Sequence, residues 1–260
     1  MYKSTLQIVK IGGNVINNEK VLKNFLGDFS YLDEYKLLVH GGGKKASEIM
    51  NSMGLVPQMV GGRRITDAAG LEVVVMVYAG LLNKQIVAYL QQNKCNAIGL
   101  SGADGNALKA HKRLVKEIDY GFAGDVDAVS AKTFKLLIES GFVPVVCAIT
   151  HDKNGQLLNT NADTIASEVA TALSSGFEVT LTYCFEKNGV LEDVNNEDSV
   201  IETIDFKKYQ HLKDQEIINE GMLPKLENCF YALNKGVAKI IIGSPSIISD
   251  KKGKHTTLKL

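Results

Sequence analysis

Charge of one sign is what this 260-residue chain most plainly lacks: Lys plus Arg and Asp plus Glu each total 29. Such a balance leaves no overall electrostatic footprint for nucleic acid or an anionic membrane, so any anion site must be local. Cysteine is scarce and scattered. Cys95, Cys147, Cys184 and Cys229 form no Cys-x-x-Cys pair, which argues against a zinc site or a disulfide framework. No stretch approaches eighteen uncharged apolar residues, and no basic, apolar and small-residue leader opens the chain; a cytoplasmic protein without a membrane span is expected. Two nucleotide signatures are missing as well, since neither Gly-x-x-x-x-Gly-Lys-Ser/Thr nor Gly-x-Gly-x-x-Gly occurs. Phosphate binding would have to use other loops.

What is present is an ordinary globular composition, 45% apolar and 22% charged, long enough for one large α/β domain or two lobes sharing a sheet. Strand and helix patterns alternate, which predicts an α/β sandwich with a mostly parallel sheet. The run Thr5-Leu-Gln-Ile-Val-Lys-Ile-Gly-Gly-Asn14 reads as a buried strand that ends in Lys10 and the turn Gly12-Gly13. A second glycine turn, His40-Gly-Gly-Gly43, follows the strand at 36–40 and opens a helix over 43–53. Open α/β sheets bind ligands beyond the carboxyl ends of their strands. Glycine amides and a helix amino terminus placed there suit an anion.

Further along, 57–66 reads as a hairpin turning at Gly61-Gly62, with Arg63 and Arg64 just beyond it. An arginine fork there suits a carboxylate, because it bonds both oxygens at once. Thr66-Asp67 cap a long apolar helix to about 92, and 97–100 is a short strand. Residues 109–116 read as exposed, positively charged ribbons. A helix over 130–140 precedes a uniformly apolar strand at 142–149, expected at the centre of a parallel sheet. Asn161 or a neighbour caps a helix through 173, placing Asp163 in its first turn. The last third gives a strand at 179–183, a polar segment to 214, a helix opened by Gly221-Met-Leu-Pro-Lys225, and a strand over 237–243. Lys225 falls in a first helical turn, which the helix dipole disfavours for a cation unless a polyanion binds nearby.

Taken in order, Lys10-Ile-Gly-Gly13, His40-Gly-Gly-Gly43, Gly62-Arg-Arg-Ile-Thr66, Asn159-Thr-Asn-Ala-Asp163 and Gly221-Met-Leu-Pro-Lys225 resemble the amino acid kinase superfamily, and within it the N-acetylglutamate kinases. The resemblance covers nearly the whole chain. It implies a three-layer sandwich in two lobes, 1–173 for the acyl amino acid and dimerisation, 174–260 for the nucleotide. It also implies transfer of the γ-phosphoryl group of ATP, with Mg²⁺, to the side-chain carboxylate of an N-acyl-L-glutamate in arginine biosynthesis. Lys10 and Lys225 would then neutralise the phosphoryl group in flight, and Asp163 would hold both lysines. Gly12, Gly13, Gly42 and Gly43 would donate N–H groups, while Arg64 and Asn159 would grip the substrate. No residue is implied as a metal ligand.

Two departures stand out. Thr182-Tyr-Cys-Phe-Glu-Lys-Asn-Gly-Val-Leu191 is about two residues longer than in relatives and lacks their aspartate, so the adenosine contacts stay unassigned, with Glu186 the candidate replacement. Arg63 stands where relatives mostly carry an apolar or aromatic residue beside the acyl pocket, which admits N-succinylglutamate as the substrate. The strand starting by about Thr5 leaves no room for the extra helix of arginine-inhibited hexamers, so a homodimer without arginine feedback is expected. Alternatives are another superfamily activity, such as carbamate kinase, and a regulator that binds nucleotide or amino acid without catalysis.

Overall fold

The structure, a computed structural model, describes residues 3–215, 217–218, 222–250 and 252–260. The chain begins with β1 (Thr5–Ile11), α1 (Gly13–Asn17), α2 (Glu19–Ser30), β2 (Tyr35–His40) and α3 (Gly43–Ser52). Asn18 caps α2 by accepting from the Val21 N–H, and Leu22, Phe25, Leu26 and Phe29 bury one face of that helix at helical spacing. The hairpin of β3 (Gln58–Val60) and β4 (Arg63–Ile65) turns at Gly61 and Gly62, with φ of 55° and 72°. Both lie in the left-handed region that glycine adopts without cost.

Asp67 caps the long helix through the Gly70 N–H. This helix is not uniform: α4 (Ala68–Val75) and α5 (Asn83–Gln92) flank a π-helical segment, Met76–Leu82. By length and composition Ala68–Gln92 could cross a membrane, although Glu72 and Lys84 interrupt its uncharged run. Here it packs on α3 and α2 and buries Val74, Val77, Leu82, Ile86 and Leu90. Beyond it come β5 (Ala97–Leu100), β6 (Leu108–Lys112), β7 (Ala123–Val129), α6 (Ala131–Glu139), β8 (Val143–Cys147), β9 (Ile149–His151), β10 (Leu157–Thr160) and α7 (Ala162–Leu173). The last part holds β11 (Glu178–Cys184), β12 (Thr203–Ile204), α8 (Phe206–Asp214), α9 (Leu223–Asn234), β13 (Lys239–Gly243) and β14 (Thr256–Leu258).

Among the described residues eight strands form the central sheet, in the order β12-β14-β13-β11-β1-β2-β8-β5. Every pairing in it is parallel except β13 with β14. Helices α6, α7 and α9 form one packed group along it, and α2 and α5 another. The doubly covered middle explains the unbroken burial of Ile8, Val9, Leu37, Leu38, Val145 and Val146.

Three expectations need correction, and a fourth falls partly outside the described residues. The basic stretch at 109–116 is not merely exposed ribbon, because β6 and β7 close a small barrel with β9 and β10. The apolar run at 142–149 divides between β8, next to the sheet edge, and β9 in the barrel; β1 and β11 hold the centre. The polar segment before 214 contains β12 and α8, and the tail contributes β14. Gly221 of the fifth motif lies outside the described residues, and the helix there starts at Leu223.

Candidate active site

Three chain turns meet beyond the carboxyl ends of their strands. β1 passes through Gly12, the cap of α1; β2 passes through Gly41 and Gly42 into α3; β10 passes through Asn161 into α7. Each turn leaves helix amino-terminal N–H groups without intrahelical partners. Together they line an open cleft of about 220 Å³, whose wall includes Lys10, Gly12, Gly13, Gly42, Gly43, Arg63, Arg64, Asn159 and Asp163. Nine of the ten residues singled out in the sequence therefore border one space. Lys225, the tenth, reaches it from α9 through Asp163.

Asp163 is the junction. Its Oδ1 lies 2.7 Å from Lys10 Nζ and its Oδ2 lies 3.6 Å from Lys225 Nζ. At 2.7 Å the Lys10 contact is the closer of the two ion pairs. Burial alone would raise the Asp163 carboxyl, but the charges of Lys10 and then Lys225 outweigh it and hold the group below the ordinary carboxylate range. Lys225, whose helix dipole repels it, also faces the rings of Phe185 at 5.2 Å and Tyr183 at 5.9 Å. The Tyr183 hydroxyl in turn donates to the Asp163 carbonyl, at 3.2 Å. Two cations share one anion, leaving a net positive charge at the mouth of the three turns, two of them glycine-rich.

At the other end the adjacent arginines separate. Arg64 is buried, and its Nη2 donates to the Gly43 carbonyl at 2.8 Å and to Ser47 Oγ at 2.7 Å. Neutral acceptors fix the guanidinium without cancelling its charge. Arg63 is exposed along the cleft wall. Asn159 Nδ2 donates to Thr66 Oγ1 at 3.0 Å, which ties β10 to the strand carrying the arginines.

Arg113 and Asp125 also belong to this end, and the sequence reading missed them. Arg113 lines the cleft just beyond β6, and its guanidinium forms a fork with Asp125 on β7. The hydrogen bond to Arg113 holds the Asp125 carboxyl below its usual range, with burial opposing and Arg63 among the charges that help. A signal existed: the basic run His111-Lys112-Arg113 is matched by acidic residues at 125 and 127, complementary charges that facing antiparallel strands can pair.

Gly42 shows why the glycine turn is bare. A Cβ there would stand 2.5 Å from Leu82 Cδ1 and 2.9 Å from Tyr78 Cδ1, both in the π-helical segment. π-Helical turns shift side chains relative to a regular helix and cluster at functional sites. A separate apolar cavity of about 150 Å³ lies next to the start of α9, walled by Phe185, Val190, Leu191, Val194, Ile218 and Met222. Glu186 is exposed and does not line it. Among the described residues no cluster of three His, Cys, Asp or Glu side chains could hold a metal ion.

Comparison with known proteins agrees with this geometry. The chain is 56% identical to acetylglutamate kinase of Cytophaga hutchinsonii over 238 residues, 91% of this chain and 90% of that one. It is 52% identical to acetylglutamate kinase of Phocaeicola vulgatus over 251 residues, 96% and 98% of the two chains. Among solved structures, smu.665 from Streptococcus mutans superposes with a TM-score of 0.78 at 24% identity, covering 98% of each chain. Residues 5–244 match the amino acid kinase family, and the chain belongs to that family.

Proposed function

We propose that this protein transfers the γ-phosphoryl group of MgATP to the side-chain carboxylate of an N-acyl-L-glutamate. A carboxylate oxygen attacks the γ-phosphorus, the bond to the β,γ-bridging oxygen breaks, and ADP leaves with an acyl phosphate remaining. The observation that carries this reading is Asp163 holding Lys10 and Lys225 at one cleft. A glutamate side chain, with pKa about 4.3, is already ionised at neutral pH, so the nucleophile needs no general base. The obstacle is an anion approaching a polyanion, which fixed positive charge and backbone N–H groups relieve. Lys10 and Lys225 neutralise the migrating group, Asp163 keeps them together, and Gly12, Gly13, Gly42 and Gly43 supply amides. Arg64 and Asn159 hold the acylated amino acid.

Mg²⁺ enters as part of the nucleotide substrate, carried by phosphate oxygens and water. Asp163 is committed to two lysines and Asp125 to Arg113, which disfavours a protein-built magnesium cage. The apolar cavity beside α9 suits the nucleotide base, with residues 174–260 as the nucleotide lobe and 1–173 as the acyl-amino-acid lobe. Met76 and Leu81, exposed on the long helix, favour dimerisation through that face. Four buried free thiols fit a reducing cytoplasm.

A second reading concerns the acyl group. Arg63 is exposed on the cleft wall, so an N-succinyl group would meet a cation with its second carboxylate, where N-acetyl would offer none. Hydroxamate trapping with ATP, Mg²⁺ and each acylglutamate tests both readings. Trapped acyl phosphate is expected, and its complete absence with either substrate would leave a non-catalytic binding protein.

A further inference from the structure

His40 ends β2 at the foot of the glycine turn, its side chain fully buried. Its Nδ1 lies 2.8 Å from the Gly41 carbonyl and its Nε2 lies 3.1 Å from Asn83 Nδ2. A carbonyl only accepts and an amide nitrogen only donates, so Nδ1 carries the proton and Nε2 accepts. The orientation of the Asn83 amide is itself determined. Nδ2 also donates to the Val145 carbonyl at 2.9 Å, and Oδ1 receives Lys84 Nζ at 3.1 Å. A flipped amide would set oxygen against a carbonyl and NH₂ against an ammonium. The sheet leaves room for this arrangement: a Cβ on Gly99 would stand 1.9 Å from Asn83 Oδ1. Burial lowers the His40 pKa to about 4, which agrees with an uncharged ring.

In a trans peptide the carbonyl of one residue and the N–H of the next point in opposite directions. Holding the Gly41 carbonyl toward the buried ring therefore turns the Gly42 N–H the other way, and Gly42 lines the cleft. Asn83 follows the π-helical segment directly, and Leu82 and Tyr78 of that segment back Gly42. One stretch of helix thus sets both the peptide and its support.

We infer that His40 is a positioning residue for phosphoryl transfer: fixed by Asn83, it pins the Gly41 carbonyl and so aims the Gly42 N–H at the migrating group. This rests on the kinase reading of the cleft. Asn and Gln substitutions separate the two ring nitrogens, since an Asn amide nitrogen falls near Nδ1 and a Gln amide nitrogen near Nε2. In the hydroxamate assay on the full chain, His40→Leu is expected to lower kcat by about thirtyfold, short of the loss for deleting an oxyanion donor outright, with KM for ATP within about threefold. His40→Asn restores kcat to within about fivefold of the unsubstituted protein, and His40→Gln stays about tenfold below His40→Asn. If His40→Leu does not fold, the Asn and Gln pair decides alone. Equal kcat for that pair in an otherwise active enzyme, or a loss confined to thermal stability, would overturn the inference. No acyl phosphate from the unsubstituted chain would overturn the kinase reading and this inference with it.

Discussion

The two ends of the cleft hold positive charge in opposite ways. At one end Lys10 and Lys225 share a single carboxylate, so their positions are coupled and part of their charge is cancelled. At the other, Arg64 is fixed by the neutral Gly43 carbonyl and Ser47 hydroxyl, Arg113 is matched by Asp125, and Arg63 is left exposed. Where charge shifts during a reaction, preorganised cations act on the transition state. Where a substrate carboxylate merely rests, they act on ground and transition states alike. The proposed chemistry therefore divides the cleft into an end that sets kcat and an end that sets KM.

The largest effects should break that division at the lysine end. Lys10→Ala and Lys225→Ala are each expected to lower kcat by at least about a hundredfold while moving KM for the acylglutamate by less than about fivefold. Steady-state kinetics decides, and falls below about tenfold for both would remove the lysines from their proposed roles. Asp163→Asn keeps the shape and removes the charge that draws the two ammonium groups together. A loss of about thirtyfold in kcat is expected, smaller than for either lysine because both cations remain. An Asn variant as active as the parent would show that the carboxylate tethers nothing.

That coupling was legible in the sequence only through motif order, because Asp163 and Lys225 sit on different helices and no local pattern joins them. The frame was legible from local physics. Asp67 and Asn161 both cap helices where expected, because a cap depends on its own side chain and the next turn. The barrel escaped because its strands are short and largely polar outward, as at His111, Lys112 and Asp127. With it went Arg113 and Asp125. Helix α8 buries only Tyr209 and Leu212, too few to set a period. The π-helical segment is apolar on most sides, so its sequence does not distinguish one winding from another.

At the arginine end the expected effect is smaller and selective. Arg63→Leu should lower kcat/KM for N-succinylglutamate about tenfold, the value of one exposed charge-assisted contact, and leave that for N-acetylglutamate unchanged. Comparing the two specificity constants before and after substitution sharpens the division. A preference for acetyl that Arg63→Leu does not alter would assign Arg63 to solvent.

The smallest effect concerns the turn between the two ends, which is anchored by an uncharged ring where the ends use ions. His40 titrates near 4 in the folded protein and near 6.5 when unfolded, because burial disfavours its charged form. On acidification the unfolded chain takes up this proton first, so His40 contributes a loss of stability as pH falls from about 6.5 to about 4 and nothing above that window. Between about pH 7.5 and pH 6 the loss is about 1 kcal/mol, and His40→Asn, having no group to titrate, should lack it. Urea midpoints for both proteins at the two pH values isolate the difference, because every other titrating group is common to them. Parallel shifts in the two proteins would mean that the ring is protonated in the folded state, and an imidazolium cannot accept from Asn83.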